Sequence, residues 1–233
     1  MIGIVIVIHQ SKFRPNGFEF VNNCIESLYK FLKKDFILYL FDNASVEKYN
    51  VPNYPNIKYE YIKDQTIRGL VGPVNDGVDK AVEDGCDIII LANDDIIINE
   101  TVNDFIDIIE NHEHKDIGLY GPLTNGCLKS SHQYAEKVGK GILELTNEDT
   151  KAKAIIRGFF MTFTKEFVKK FRRPNGKFLN EDKLWRGGEV SQLHYIRPLG
   201  GRLFVIKDCW IFHYATHGIL KRLRILNRRK KRK

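Results

Sequence analysis

A regular alternation of buried-strand and amphipathic-helix patterns runs through the first half of this sequence. It opens with the continuous apolar run Gly3 to Ile8, which is typical of a strand covered on both faces of a parallel sheet. A helical spacing of apolar residues follows over 18–34. Further strands are predicted at 36–41, 57–62 and 86–92, and further helices at 73–84 and 102–109. This alternation predicts an α/β fold with a mainly parallel, open sheet flanked by helices.

The second half is less regular and predicts a small antiparallel part of the sheet. We expect strands at 117–120, 154–164, 202–206 and 210–214, helices at 165–171 and from about Glu189, and a long polar loop at 123–149. No internal repeat and no linker rich in Pro, Gly and Ser divides the chain. We therefore predict a single domain over 1–218, with halves of about 1–121 and 122–218, followed by a tail at 219–233.

The basic charge of the chain is concentrated in that tail. Lysine and arginine number 37 against 29 aspartates and glutamates, a formal net charge of +8. Residues 221–233 contain nine of the basic residues and no acidic one, so 1–220 has 28 basic against 29 acidic residues, a net charge of −1. A near-neutral body argues against a large nucleic-acid-binding face, and we expect no specific nucleic-acid partner. Apolar residues recur at helical spacing over 219–226, so the tail is predicted as a basic amphipathic helix on an anionic membrane or as a solvated segment.

Cysteine spacing and hydropathy favour a cytoplasmic location. The four cysteines are far apart and form no C-x-x-C pair, which disfavours a disulfide framework and a cysteine zinc site. The opening apolar run is much shorter than the roughly 20 residues that cross a bilayer, and it lacks the basic leader and cleavage site of a signal peptide. We therefore expect a cytoplasmic protein, peripheral to a membrane where the tail binds lipid.

Acidic and amide side chains follow two of the predicted strands, at the point where each strand ends. Asp42-Asn43-Ala44-Ser45 ends the second strand and Asn93-Asp94-Asp95 ends the fourth. Ligands of open parallel sheets bind beyond the carboxyl ends of the strands, and we expect these two strands to be neighbours. Each cluster alone is equally typical of a turn or a helix cap. Together they predict a cleft in which Mg²⁺ or Mn²⁺ relieves the repulsion between carboxylates.

The sequence contains no glycine-rich phosphate loop. Neither G-x-x-x-x-G-K-[ST] nor G-x-G-x-x-G occurs, which disfavours a kinase, a P-loop ATPase and a Rossmann dehydrogenase. A diphosphate ligand would instead complete the coordination shell of the bound cation.

Five segments resemble, in order and spacing, the family 2 glycosyltransferases, which have the GT-A fold of nucleotide-diphospho-sugar transferases. The resemblance covers roughly 2–217. The first segment is the opening strand and helix, Ile2 to Leu32, and the second is Asp42-Asn43-x-Ser45, which matches the family's V-D-N-x-S. The third runs from Arg68-Gly69-Leu70 through Pro73, Asn75 and Gly77 and matches N-x-G-x-x-x-x-x-N-x-G, and the fourth is Asn93-Asp94-Asp95, which stands at the metal-binding D-x-D. The fifth pairs Arg157-Gly158-Phe159-Phe160 with Trp185-Arg186-Gly187-Gly188-Glu189 and matches the family's paired G-F and W-G-G-E-D segments.

The resemblance implies a role for each matching residue. The first half would bind the nucleotide and the second half the acceptor. The nucleotide-binding residues would be Asp42, Asn43, Ser45, Arg68, Asn75 and Asp94. The metal ligands would be Asp95, Asn93 and His213. Glu189 would be the catalytic base.

Some positions depart from the family pattern. Asn93 stands where the family has an aspartate, so the metal site loses one carboxylate. Val190 stands where an acidic residue often follows the glutamate, and His9-Gln10 replaces the usual threonine-tyrosine-asparagine-like end of the first strand. The acidic pair Glu181-Asp182 is therefore an alternative place for the base. A glutamate in a first helical turn and a packed histidine also have ordinary structural explanations.

These observations predict a metal-dependent inverting glycosyltransferase. The metal would neutralise the charge on the departing nucleoside diphosphate, and the base would take a proton from the acceptor hydroxyl during a single displacement. The expected donor is a UDP- or GDP-linked sugar, and the expected acceptor is a glycan, a lipid-linked molecule or a protein. A sugar-nucleotide nucleotidyltransferase fits less well, because residues 9–17 contain one glycine instead of a glycine-rich basic loop. The remaining alternative is a non-catalytic module that binds anionic lipid or nucleic acid through its tail.

Overall fold

The computed structural model describes residues 1–11, 14, 16–64, 68–127, 129, 131–146, 155–183 and 188–214, with the backbone alone for 188–190. The strands within these ranges are β1 (Ile2–Ile8), β2 (Phe36–Asn43), β3 (Ile57–Ile62), β4 (Ile88–Ala92), β5 (Ile96–Ile97), β6 (Gly118–Thr124), β7 (Ile142–Glu144), β8 (Phe160–Thr164) and β9 (Arg202–His213). The helices are α1 (Gly17–Phe31), α2 (Val71–Glu83), α3 (Thr101–Asn111), α4 (Lys165–Phe171), α5 (Gly188–Ile196) and a short 3₁₀ helix (Arg197–Leu199). The tail at 219–233 and residues 185–187 of the resemblance lie outside the described residues.

One mixed sheet runs through the described part of the chain, in the order β3-β2-β1-β4-β8-β6-β9-β5, with β7 paired to β9. Strands β1 to β4 are mutually parallel, as predicted. The C-terminal half adds the long parallel pair β6–β9 and the antiparallel pairs β4–β8, β6–β8, β5–β9 and β7–β9, which together join fewer residues than the parallel pairs do. The sheet is therefore mainly parallel with a smaller antiparallel part, which confirms the predicted fold class.

Strand β1 lies between β2 and β4, so the expectation that β2 and β4 are neighbours is wrong. The physical reason is the composition of β1, which is apolar at every position and buried except at Val7. Such a strand is most stable in the middle of the sheet, where helices cover both faces and both edges are hydrogen-bonded.

Alternate residues of β1 point into two hydrophobic cores. Ile4 and Ile6 belong to the core under α1 and α3, and Val5 belongs to the core under α2, α4 and α5. Helix α2 lies very close to the sheet, because a Cβ added to Gly3 would come within 2.7 Å of the Cβ of Ala81. This close packing holds the first turn of α2 beside the carboxyl ends of the parallel strands.

The largest departures from the predicted elements fall in the second half. The two strands predicted at 202–206 and 210–214 form one strand, β9, whose pairing with β6 skips from Ile206 to Trp210. The short strands β5 and β7 were not predicted, because two or three residues give no measurable periodicity. Of the predicted strand at 154–164, the described residues form a strand only in β8. In the ranges that the structure describes, no helix combines the length and apolarity needed to cross a membrane.

Candidate active site

The carboxyl ends of β2, β1 and β4 lie side by side at one edge of the sheet. Ile8 of β1 pairs with Asp42 of β2, and Ile6 of β1 pairs with Ala92 of β4. The loop that follows β1 therefore lies between the two acidic clusters that the sequence singles out.

Asp42 is a fully buried carboxylate that organises the turn after β2. Its Oδ1 accepts a hydrogen bond from the backbone N–H of Ser45 at 3.1 Å, and its Oδ2 accepts from the N–H of Tyr49 and the hydroxyl of Tyr59, each at 3.0 Å. Burial, together with the charge of Asp42, raises the pKa of Tyr59 to about 12, so this hydroxyl remains a donor. Both carboxylate oxygens are thus engaged with protein groups, and the predicted nucleotide contact of Asp42 stays a prediction.

Asn43 and Ser45 connect the ends of neighbouring segments. The Asn43 Nδ2 donates to the carbonyl oxygen of Gly69 at 3.1 Å, and the Asn43 carbonyl oxygen lies 2.9 Å from Nδ1 of His9. The Ser45 hydroxyl oxygen accepts from the N–H of Gln10 at 2.8 Å. The carbonyl acceptor requires a proton on Nδ1 of His9. These contacts join the β1 and β2 ends to the turn before α2.

Asp94 forms a buried ion pair with Arg14, a residue of the loop after β1. The two guanidinium nitrogens lie 2.5 and 2.9 Å from the two carboxylate oxygens, and both side chains are less than a tenth exposed. This bidentate pair is the stronger kind of charge-assisted hydrogen bond. Arg14 therefore neutralises the charge of Asp94, the middle residue of the Asn93-Asp94-Asp95 cluster.

Asp95 lies against His213, which the last strand brings back to this edge. The antiparallel pairing of β5 with β9 places His213 opposite Ile96, and the N–H of Tyr214 donates to the carbonyl of Asp95 at 3.0 Å. The His213 Nε2 is 3.1 Å from Oδ1 of Asp95 and 3.3 Å from the Asn93 side-chain amide. The structure therefore brings together all three residues that the sequence proposed as metal ligands.

The orientation of the His213 ring is set by its packing. The ring stacks on Phe159 at a centroid distance of 5.4 Å, and a Cβ added to Gly126 would approach its Nδ1 to 2.5 Å. The backbone N–H of His213 donates to Oδ1 of Asn125 at 2.9 Å. The carbonyl of Phe159 also accepts from the N–H of Asn93 at 2.9 Å. Phe159 and Gly126 thus belong to the candidate site through their packing on His213, which sequence reasoning did not identify, although Phe159 lies within a segment that it singled out.

The donor set at this point fits a divalent cation. Carboxylate and amide oxygens are ligands of Mg²⁺ and Mn²⁺, while imidazole is a common ligand of first-row transition metals, so the mixed set of Asp95, Asn93 and His213 suits Mn²⁺ better. Among the described residues no three His, Cys, Asp or Glu side chains converge as a metal site. Protein ligands alone would therefore leave coordination positions for substrate oxygens and water.

Asn75 and Arg68 face the second half of the chain. Asn75 is fully buried and exchanges two hydrogen bonds with the backbone of Leu179, at 2.7 and 3.1 Å. The Arg68 guanidinium contacts both carboxylate oxygens of Asp76 and one of Glu181. Their polar groups therefore contact protein, and their assignment to the nucleotide site stays a prediction.

The two candidate positions for the base differ in their surroundings. Hydrogen bonding from Arg68 holds the pKa of Glu181 below its usual range, which makes this carboxylate a weaker base. Glu189 is the second residue of α5, and its side chain lies outside the described part of the structure. The contacts of Glu181 favour Glu189 as the candidate base.

Comparisons with known proteins identify the fold. No protein-family model and no curated protein sequence matches this chain. Its structure is similar to that of GalNAc-T7 crystallised with UDP, GalNAc and Mn²⁺, with a TM-score of 0.63 and 14% identity, over 91% of this chain and 43% of that one. It is also similar to residues 1–349 of S. aureus TarS in complex with UDP-GlcNAc, with a TM-score of 0.63 and 14% identity, over 91% and 58% of the two chains.

A longer S. aureus TarS structure gives a TM-score of 0.64 at 15% identity, over 91% of this chain and 36% of that one. The chain thus spans about half the length of the solved proteins it matches. These proteins are GT-A-fold glycosyltransferases, and the chain has the GT-A fold of nucleotide-sugar transferases.

Proposed function

We propose that this protein is a metal-dependent glycosyltransferase that moves a sugar from a nucleoside diphosphate to an acceptor hydroxyl. The observation that carries the proposal is the convergence of Asp95, His213 and Asn93 at the carboxyl edge of a GT-A sheet. This edge is where open α/β sheets bind their ligands. The structural neighbours that contain UDP, UDP-GlcNAc, or UDP with Mn²⁺ favour a UDP-linked donor over a GDP-linked one.

Asp95 and His213, with the Asn93 amide, would hold the cation, preferably Mn²⁺. Bound there, the ion supplies charge neutralisation for the diphosphate leaving group. The Arg14–Asp94 pair leaves only one carboxylate charge in the Asn93-Asp94-Asp95 cluster to balance the ion. The diphosphate itself therefore provides the remaining negative charge, and we expect cation and nucleotide to bind together.

Glu189 would act as the general base on the acceptor side. A carboxylate there accepts the proton of the acceptor hydroxyl as the hydroxyl oxygen attacks the anomeric carbon. Attack opposite the leaving diphosphate in one displacement inverts that carbon. The acceptor would be a hydroxyl of a glycan, a lipid-linked molecule or a protein, and the basic tail would keep the enzyme peripheral to an anionic cytoplasmic membrane.

Titration calorimetry of the full chain with UDP and GDP, with and without Mn²⁺, tests this function. We expect Mn²⁺ to strengthen nucleotide binding in the wild type and to have no effect in Asp95→Ala. The matched control is Asp107→Ala, which removes an exposed carboxylate of α3. An Asp95→Ala variant that binds as the wild type does in Mn²⁺ would refute the metal assignment, and a wild type that binds neither nucleotide would refute the function.

A further inference from the structure

An ion-pair network joins the turn before α2 to the loop that leads to α5. The Arg68 guanidinium donates to both carboxylate oxygens of Asp76, at 2.7 and 2.9 Å, and to Oε1 of Glu181 at 2.7 Å. The same Oε1 accepts from Nδ2 of Asn75 at 3.1 Å. Arg68 therefore bridges a helix of the first half of the chain and a loop of the second half.

Two glycines close to Arg68 allow its side chain to take this position. Gly69 has a left-handed φ of 54°, and its carbonyl oxygen accepts from Nδ2 of Asn43. A Cβ added to Gly72 would lie 2.5 Å from the Cβ and 2.8 Å from the Nε of Arg68. The missing side chain at Gly72 lets the arginine lie along the first turn of α2. Contacts therefore run from Asn43 at the end of β2, through the turn at 68–70, to Glu181.

Described residues on either side of 184–187 are held by arginine and asparagine side chains. Glu181 and Leu179 are held by Arg68 and Asn75 at one end. At the other end, Arg173 donates from Nε to the side chain of Gln192 at 3.1 Å and to the carbonyl of Ser191 at 3.0 Å. Glu189 lies between these two anchors, so the position of its backbone depends on both.

We propose that Arg68 is a positioning residue. By holding the Glu181 carboxylate, it fixes residues 179–183 against the first turn of α2, and so sets the point from which the chain continues to α5 and Glu189. The proposal rests on the proposed function for the role of Glu189 as the base. Its physical basis is that charge-assisted hydrogen bonds have strict geometry, and that a displacement of about 1 Å at a reacting group costs about a hundredfold in rate.

The chain offers a matched control for this ion pair. Asp79 lies one turn after Asp76 on α2 and accepts from Arg172, just after α4, at 2.5 Å. Both pairs are partly exposed and join α2 to the second half of the chain, but the Arg172 guanidinium donates to Asp79 and to the carbonyl of Gly176, whereas Arg68 holds Glu181. Arg172→Gln therefore removes a comparable ion pair without touching the Glu181 anchor.

Hydrogen exchange of the full chain, without substrate, tests the anchoring. We expect backbone amides of 179–183 and 188–190 to exchange at least tenfold faster in Arg68→Gln than in the wild type, and to keep the wild-type rate in Arg172→Gln. Equal exchange in the two variants would overturn the proposal. Because no nucleotide or acceptor is needed, this result does not depend on whether the proposed function is correct.

Steady-state kinetics test the consequence for transfer. We expect Arg68→Gln to lower kcat about 10- to 100-fold with the donor KM within about twofold, and Arg68→Lys, which keeps one charged donor, to recover part of the loss. Arg172→Gln is expected to keep the wild-type kcat. A higher donor KM at unchanged kcat in Arg68→Gln would overturn the positioning role and assign Arg68 to the donor. A wild type without transferase activity would contradict the proposed function, and hydrogen exchange alone would then decide the positioning role.

Discussion

Three carboxylates at the carboxyl edge of the sheet have different surroundings, because each contacts different partners. Asp42 accepts hydrogen bonds from two backbone N–H groups and a tyrosine hydroxyl, which fixes a turn. Asp94 is neutralised by Arg14, and Asp95 faces the imidazole of His213. Two adjacent residues of one short motif therefore differ in charge balance, which favours Asp95 over Asp94 as the ligand of the proposed cation.

At this residue scale, Asp94→Asn should destabilise the fold. The substitution leaves the Arg14 guanidinium buried without its counter-charge, and breaking a buried pair from one side costs about 3–5 kcal/mol. Denaturant unfolding measures this as a lower midpoint. The double variant Arg14→Met, Asp94→Leu should recover most of the stability, because a well-packed apolar pair often replaces a buried ion pair without loss. If Asp94→Asn keeps full stability and loses nucleotide affinity, Asp94 binds the nucleotide directly.

Replacing Glu189 by glutamine separates catalysis from binding. Glu189→Gln keeps the shape of the side chain and removes the proton acceptor, so turnover should fall about a hundredfold or more, with nucleotide affinity unchanged by calorimetry. Glu166→Gln, at an exposed position of α4, is the control. Full activity of Glu189→Gln would transfer the role of base to Glu181 or Asp182. A product with retained anomeric configuration would contradict the single displacement.

At the scale of elements, the position of α2 depends on the absence of side chains where it meets the sheet. A Cβ added to Gly77 would overlap Val5 of β1 and come within 3.0 Å of Phe41 of β2. The helix can therefore lie close to the strands, which places Arg68 and Asn75 beside the strand ends. The glycine pattern in this segment thus has a packing explanation in addition to any contact with a nucleotide.

Gly77→Ala tests this packing, because the sign of its effect on the free energy of unfolding depends on whether the added methyl group has room. In an exposed helix the substitution would stabilise by about 0.5–1 kcal/mol, whereas overpacking a filled core typically costs about 1–3 kcal/mol. We expect net destabilisation in urea unfolding, because the contacts of the added methyl group are with the sheet. Glu83→Ala, at an exposed position of the same helix, should change the unfolding free energy by less than about 0.5 kcal/mol. Increased stability of Gly77→Ala would show that α2 can move away from the sheet.

Over the whole molecule, charge is divided between a near-neutral body and a strongly basic end. Residues 221–233 contain nine lysines and arginines and no acidic residue. Each basic residue close to an anionic leaflet contributes about 1 kcal/mol, weakened by salt. The last described residue, Tyr214, lies next to the candidate site through its bond to Asp95. The tail predicted at 219–233 therefore follows the candidate site by only a few residues in the sequence.

Removal of the tail should abolish membrane association. Full-length protein is expected to co-sediment with anionic vesicles at about physiological salt, where the Debye length is about 8 Å, and a chain ending at Gly218 is expected to stay in solution. Neutral vesicles provide the control for apolar binding, and oligonucleotides test for nucleic acid as the ligand. Equal sedimentation of the two chains would exclude the tail as a membrane anchor.

The sequence was sufficient to predict elements that depend on local patterns. The apolar run of β1, the helical spacing in α1 and the exact bounds of α4 follow from periodicity within a short segment. The same holds for the polar clusters at the ends of β2 and β4, because turn residues follow buried strands directly. The spacing of apolar residues within a segment indicates whether one face or both faces will be buried, so these predictions needed no tertiary information.

The contacts that build the candidate site were decided by tertiary structure. Arg14 and Asp94 are 80 residues apart, Arg68 and Glu181 are 113 apart, and His213 and Asp95 are 118 apart. No local pattern specifies such partners, since each pair depends on the order of strands in the sheet and on the register between them. The resemblance to known enzymes predicted His213 as a metal ligand, but the position of β1 between β2 and β4, and the pairing of β5 with β9, bring the side chains together. Sequence alone therefore determined which segments end in polar groups, and sheet packing determined which of those groups meet.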